Sequence, residues 1–205
     1  MSVKPLRVRQ AEATRSLLIE VARKNFTEHG YAATSIDDII QQAGVARGAL
    51  YHHFSGKEAL FRAVYETVEG EVVERVMQAA ASQTSPWDAV RAGLSAFLDA
   101  CLEPAFRRIV VLDSVSVLQA KVLEIGIDPV ELPMLRTVIS PLLGTTTFEG
   151  TALDALAYVA LGGLYGASLY IARASDPRAA RAEADVVLDT LISGLIGRAT
   201  TETPT

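Results

Sequence analysis

An all-α fold is what this sequence predicts, and three observations predict it. Apolar residues recur at helical spacing along most of its 205 residues. Helix-start signals, in which Ser, Thr or Asp precedes Pro or an acid, punctuate the chain. Strand signals are nearly absent: there is no Asn-Gly or Asp-Gly hairpin turn and no long apolar/polar alternation. The reading is about nine helices, with no repeat and no low-complexity run.

The first helix is expected over 11–29, with Leu18, Ala22 and Phe26 on one stripe and Gly30 as its stop. A second starts at Thr34 or Ser35, each of which has an Asp three residues on, the spacing of a capping box. Its apolar residues Ile36, Ile39, Ile40 and Ala43 give one buried face, and Gly44 ends it. A short third helix is expected over 45–53. A fourth begins after Ser55, with Glu58 three residues on, and reaches Ala80 behind Leu60, Phe61, Val64 and Val68. Ser85-Pro86-Trp87-Asp88 is a strong start: a capping serine, a first-turn proline and an acid at the dipole's positive end. Further starts are Glu103-Pro104, Thr151 with Asp154, and Asp176-Pro177. Pro129, Pro133 and Pro141 make any helices between Gly126 and Gly150 short or broken. The tail 200–205 is polar and expected to fray.

Charge divides the chain. Residues 1–57 carry eight Lys/Arg against five Asp/Glu, a net +3; the remainder carries eleven against nineteen, a net −8. A basic head on an acidic body places any polyanion at the head. The expected division is a head over 1–57, with the fourth helix as its link, and a body over 58–205; the composition softens after Gln78. The single cysteine, Cys101, excludes an internal disulfide and fits a reduced, cytoplasmic setting. No apolar core follows the basic first residues, so no signal peptide is expected.

Mean hydropathy is high at +0.26, which requires either a buried partner surface or a membrane segment. The run Ala155–Ala172 has no charge and includes Gly162 and Gly166 four apart. Three glycines, Ser168 and three tyrosines within it, close flanks at Asp154 and Arg173, and no basic flank argue against a membrane span. A helix apolar all round is instead buried on two sides, against its own body and against a second subunit. Residues 176–198 supply the companion helix, with Val186, Val187, Leu191, Leu195 and Ile196 apolar. Segments 151–173 and 176–198 from two copies would make a four-helix interface about a two-fold axis.

The chemistry lies near residue 44. Two helices of about eight residues meet across Gln42-Ala43-Gly44-Val45, the spacing of a helix-turn-helix, with glycine where the chain must go left-handed. In the second of them Leu50 and Phe54 anchor one face. Ala46, Arg47, Gly48, Tyr51 and His52 are left outward: small residues for close approach, Arg47 for a guanine edge or a phosphate, Tyr51, His52 and His53 as phosphate donors.

The stretch Thr34-Ser35-Ile36-Asp37-Asp38-Ile39 through Ala43-Gly44-Val45-Ala46-Arg47-Gly48-Ala49-Leu50-Tyr51-His52-His53-Phe54-Ser55-Gly56-Lys57-Glu58-Ala59-Leu60-Phe61 strongly resembles the DNA-binding head of the TetR family of repressors. The resemblance covers about 11–65; Asn25 departs from it, standing where the family usually has an apolar residue. It implies that Thr34 and Ser35 hold a phosphate at the second helix's N-terminus, that Arg47 and Gly48 face base edges, that Tyr51, His52 and His53 touch the backbone, and that Lys57 meets a further phosphate. It also implies a homodimer on a palindromic operator of double-stranded DNA, and a body that binds a small effector. Candidate lining residues are Trp87, Phe97, Cys101, Phe106, Met134, Phe148, Tyr158 and Tyr165, with Asp113, Ser114, Ser116 and Gln119 as polar options; the bias favours an apolar effector. The stretch 126–150 is the expected gate.

Other classes fare worse. There is no Gly-x-Ser-x-Gly, phosphate loop or paired-cysteine motif, so no enzyme and no cofactor are expected. His52 and His53 diverge by about 100° on a helix and make a poor metal site. A helical scaffold without DNA binding is the remaining alternative.

Overall fold

The computed structural model describes residues 6–118 and 151–201, with side chains 6, 151–153, 192 and 195–201 left out of the description. The expected gate over 126–150, the candidate residues Gln119, Met134 and Phe148, the tail beyond 201, and the side chains of Leu195 and Ile196 therefore lie outside the described residues. Among the described residues there are eight α-helices, one π-helix and no strand.

Helix α1 (Leu6–Ala33) begins earlier than its apolar stripe does. Leu18, Ala22 and Phe26 are wholly buried, whereas residues 7–10 are exposed. Its continuity breaks at Gly30, at φ 77° and ψ 169°, a region essentially confined to glycine. The kink frees the Tyr31 N–H, which donates to Asp113 Oδ2 at 2.8 Å.

Helix α2 (Ile36–Ala43) is capped by Ser35, whose Oγ accepts from the Asp38 N–H at 3.1 Å and donates to the Asp38 carboxylate at 2.6 Å. Of the two starts with the same spacing, Ser35 is the cap. Gly44 closes the helix in the left-handed conformation, φ 65°. The turn delivers α3 (Arg47–His53), with Leu50 and Phe54 buried. Helix α4 (Lys57–Ala81) starts after Gly56, and no side chain caps it, so the Ser55–Glu58 spacing is not used as a cap.

The head core is aromatic at its centre. Phe61 stands edge-on to Phe26 and Tyr31, with ring centroids 5.1 Å away in each case. Asn25 is buried yet fully engaged: its Nδ2 donates to Val21 O and to Gln42 Oε1, both at 2.9 Å, and Gln42 Nε2 donates back to Asn25 Oδ1 at 3.1 Å. This reciprocal amide pair ties α1 to α2. Arg23 adds a two-bond ion pair to Glu71, at 2.6 and 2.8 Å, tying α1 to α4.

In the body, α5 (Pro86–Ala100) starts on Ser85 with proline at the first turn. A π-helix (Phe106–Asp113) follows and runs into α6 (Ser114–Val117). The π-helix buries Phe106, Ile109 and Val111, and it packs against α1, α4 and the long helix α7 (Thr151–Arg173). Helix α8 (Pro177–Thr201) begins on Asp176, whose Oδ1 accepts from the Arg178 and Ala179 N–H groups. One continuous core runs from Leu18 in the head to Ala184 in α8, with α4 passing through both parts.

Helix α8 turns its charged side inward. Arg181 reaches Asp99 at 2.9 Å and Ser95 Oγ at 2.7 Å, and Arg91 of α5 reaches Asp189 at 2.8 Å. Val186, Val187 and Leu191 consequently face out. Helix α7 is long and apolar enough to cross a membrane by length and composition alone. It buries Ala157, Ser168 and Ile171 against the body and leaves Tyr158, Val159 and Tyr170 outside.

Candidate nucleic-acid interface

The surface on which the sequence expectations converge is built by α2, the turn at Gly44, α3 and the start of α4. Leu50 and Phe54, four apart, fix one face of α3 into the head, so its other face must point away. Ala46, Arg47, Gly48, Tyr51 and His52 are all exposed. A Cβ at Gly48 would meet nothing within 4 Å, so this end of α3 can approach another surface closely. His53 is half-buried, edge-on to His52 with ring centroids 5.1 Å apart. Burial, and then the neighbouring His52 and Arg15, hold the His53 imidazole below its ordinary pKa.

Arg47 forms an ion pair with Asp37 across the turn. Both side chains are more than half exposed, so the pair is worth at most about 1 kcal/mol and exchanges readily for a phosphate or a base edge. Lys57 leans over Tyr31, its Nζ 4.2 Å from the ring centroid and 3.4 Å from Ala32 O. Burial lowers its pKa. Ser35 is exposed beside the first turn of α2. Thr34 corrects the expectation: it is buried, and its hydroxyl donates to Gly30 O at 2.8 Å and Asn25 O at 3.2 Å. Thr34 braces the kink and has no free hydroxyl for a phosphate.

Three contributors escaped the sequence reading. Arg15 lies 5.3 Å over the Phe54 ring, against the end of α3. The signal was present, since Arg15 continues the Leu18, Ala22, Phe26 stripe. Asp37 holds Arg47, and Gln42 completes Asn25; neither partnership has a sequence signature.

The candidate effector residues are only partly gathered. Phe97 and Phe106 meet edge-on with centroids 6.0 Å apart, and Cys101 is wholly buried near them in the chain. Burial pushes the Cys101 thiol up to about 12, the state of an inert thiol. Trp87 and Tyr165 are half-buried. Tyr158 faces outward, on the same side as Val159. Asp113 turns to the head, accepting from the Tyr31 N–H and from Arg108 Nε at 3.2 Å. Arg108 lies so close to Gly30 that a Cβ there would stand 1.9 Å from its Nη2. Among the described residues no group of three or more His, Cys, Asp or Glu could hold a metal ion.

Residues 18–64 match the family model of bacterial regulatory proteins of the tetR family, and residues 87–195 match a tetracyclin repressor-like C-terminal domain. Over 65 residues the chain is 38% identical to the transcriptional regulator AcrR of Shigella flexneri, covering 32% of this chain and 30% of that protein. Over 85 residues it is 36% identical to the transcriptional activator FasR of Mycolicibacterium smegmatis, covering 42% of this chain and 39% of that protein. The chain thus spans about a third of the length of these curated relatives. A solved TetR-family regulator from Pectobacterium atrosepticum superposes with a TM-score of 0.75 at 34% identity, over 91% of this chain and 96% of that one. SCO4454 of Streptomyces coelicolor shares the fold at 21% identity, with a TM-score of 0.69 over 89% and 96% of the two chains.

Proposed function

The chain belongs to the TetR family of transcriptional regulators, and from that premise we propose that it is a homodimeric repressor of the cytoplasm, released from a palindromic operator by a small, mainly apolar effector. The observation that carries the reading is the outward face of α3, where Arg47, Gly48, Tyr51 and His52 are exposed on a helix whose other side is locked into the core. In this reading Arg47 and Gly48 meet base edges, Tyr51, His52, His53 and Lys57 meet phosphates, and Ser35, whose hydroxyl already serves Asp38, marks the α2 N-terminus whose backbone N–H groups hold another. Base edges supply the specificity and phosphates the register.

Dimerisation is assigned to 151–173 and 176–198. Their outward residues include Val159, 72% exposed, and Val186, 67% exposed, far more apolar surface than a solvated helix pair retains. The exposed glycines Gly162, Gly163 and Gly166 let a second copy approach closely. A two-fold dimer presents two α3 helices to two half-sites about one helical turn apart, or a multiple of it.

The effector would act on the aromatic region around Phe97 and Phe106, with Trp87, Cys101 and Tyr165 as further lining. The π-helix connects that region to the head: Phe106 opens it, and Asp113 closes it on the Tyr31 amide. A shift of the π-helix on effector binding would move the head's hold on DNA by population shift.

The test is selection of bound duplexes from random DNA at a stated salt concentration. One palindromic sequence should emerge, and Tyr51→Ala and Lys57→Ala should each weaken it at least about tenfold while the chain stays folded. No enrichment by a folded, ligand-free dimer would sink the reading in favour of a helical scaffold. Transcription in vitro from a promoter carrying the selected site, which should fall when protein is added, separates repression from activation.

A further inference from the structure

We infer that the N-terminal arm of α1, carrying Arg7 and Arg9 with Arg15 behind them, is a second DNA contact that grips the phosphate backbone beside the groove read by α3. The inference rests on the operator-binding reading above and adds to it an element outside the residues matched by the head's family model, 18–64.

Four observations carry it. Arg7, Arg9 and Arg15 are exposed, and among the described residues no carboxylate lies within ion-pair distance of any of them. By contrast Arg23, Arg47, Arg62, Arg75, Arg91, Arg108 and Arg181 each have one. Among the described residues Arg107, Arg173 and Arg178 also lack an ion pair, but the arm gathers three such arginines within nine positions of one helix end.

The arm also runs against local helix electrostatics. No acid stands in the first turn of α1, and Arg7 lies in it. Cations are unfavourable at the positive end of a helix dipole. A sequence that places Arg7 and Arg9 there, with Glu12 the sole acid between residues 6 and 17, suits a polyanion brought to that end.

Position decides which polyanion. Arg15 rests on Phe54, the residue that ends α3, so the arm departs from the head at the end of the reading helix. Arg9 and Arg7 lie six and eight residues further out, about 9 and 12 Å at the helical rise. The major groove is about 12 Å wide. With α3 in the groove, the arm carries its cations from one edge to the backbone beyond. Finally, residues 7–10 are all exposed, so Arg7 and Arg9 have no packing duty that would explain them.

The test compares the full-length chain with R7Q/R9Q and R7K/R9K, by fluorescence anisotropy across a salt series. One probe is the selected operator duplex and the other a scrambled duplex of equal length. R7Q/R9Q should bind both about tenfold or more weakly at about 100 mM salt, with their ratio unchanged, because phosphate contacts carry no sequence. The slope of log K against log salt should fall by about 0.9 for each phosphate lost, about 3.6 for four arginines in a dimer. R7K/R9K should retain most of the slope, and the thermal midpoint of all three should agree. Wild-type affinity and slope in R7Q/R9Q, with Tyr51→Ala still defective, would overturn the arm and leave the operator reading standing. Failure of the unmodified chain to bind either duplex would overturn both together.

Discussion

In the head, every large apolar side chain that the helices turn inward finds a partner within the protomer: Leu18, Phe26, Ile39, Leu50, Leu60 and Phe61 are all fully buried. Helices α7 and α8 follow the opposite plan. The salt bridges from α8 to α5 face the protomer's own body, and Val159 and Tyr170 of α7 with Val186, Val187 and Leu191 of α8 are exposed. The difference separates a completed hydrophobic core from half of one. The head closes its apolar residues within the protomer, in a core it shares with the body, and in the proposed function it offers its polar face to DNA. The outward apolar residues of the C-terminal pair are the surface that the proposed dimer would cover with a second copy about a two-fold axis.

The most forceful way to break this comparison is to charge the open face. Val186→Glu with Leu191→Glu places four carboxylates in a two-fold interface that would otherwise bury four apolar side chains, each worth roughly 1.5–3 kcal/mol. The dimer dissociation constant should rise by at least about a thousandfold, read by sedimentation velocity, and operator affinity should fall with it. Helical content should hold, since neither residue is buried in the protomer. An unchanged dimer would place the interface elsewhere and dissolve the contrast.

Truncating the closed side should cost the protomer directly. Phe61→Ala removes the ring at the centre of the aromatic cluster and should destabilise by about 3–5 kcal/mol in urea unfolding. Val159→Ala, measured in the dissociated protein, should fall within about 0.5 kcal/mol of the unmodified chain. Comparable losses at the two sites would mean that α7 is buried within its own protomer after all.

A smaller effect sharpens the picture of the head. Asn25→Ala deletes both halves of the amide pair with Gln42, and about 1–3 kcal/mol should be lost. The measurement is again urea unfolding. Gln42→Ala should cost a comparable amount, because it leaves the buried Asn25 Oδ1 without its donor while Nδ2 keeps Val21 O. Equal and negligible effects would mean that the pair forms without contributing.

Residues whose role depends on local spacing were legible in the sequence. The stripe of α1, the buried face of α2, the Gly44 turn, the Ser85-Pro86 start and the apolar run of α7 all follow from periodicity or capping within a few residues. Residues whose role depends on a distant partner were not. Asn25 stood out only as a departure from the family's usual apolar residue, because its partner Gln42 is seventeen positions away. Thr34 and Ser35 have the same spacing to an acid, and only the kink at Gly30 decides that Thr34 turns inward. Asp113 read as a pocket group because no local pattern reveals the Tyr31 amide 82 positions back. The π-helix lies in the same class, since an apolar run there fits α spacing as well.

The smallest predicted effect is a pH dependence, and it too separates the regions. The chain's three histidines, His29, His52 and His53, all precede α4, so the side chain type whose charge ordinarily changes near neutral pH occurs in the head and not in α7 or α8. His53 is held below its ordinary pKa by burial and then by His52 and Arg15. The unfolded chain therefore takes up this proton first as pH falls. The stability that His53 contributes is fully present above about pH 6.5 and is lost as pH drops through its folded value. Free head stability should decline gently over this window, and His53→Gln should flatten the decline. On DNA the sign reverses, because a phosphate beside His53 favours its protonated ring. Operator affinity should rise on acidification by less than about tenfold, a full unit of pKa being needed for tenfold. Dimer dissociation, measured in parallel, should stay flat. Acid sensitivity of the dimer equal to that of the complex would show that the open face and the reading face are not independent.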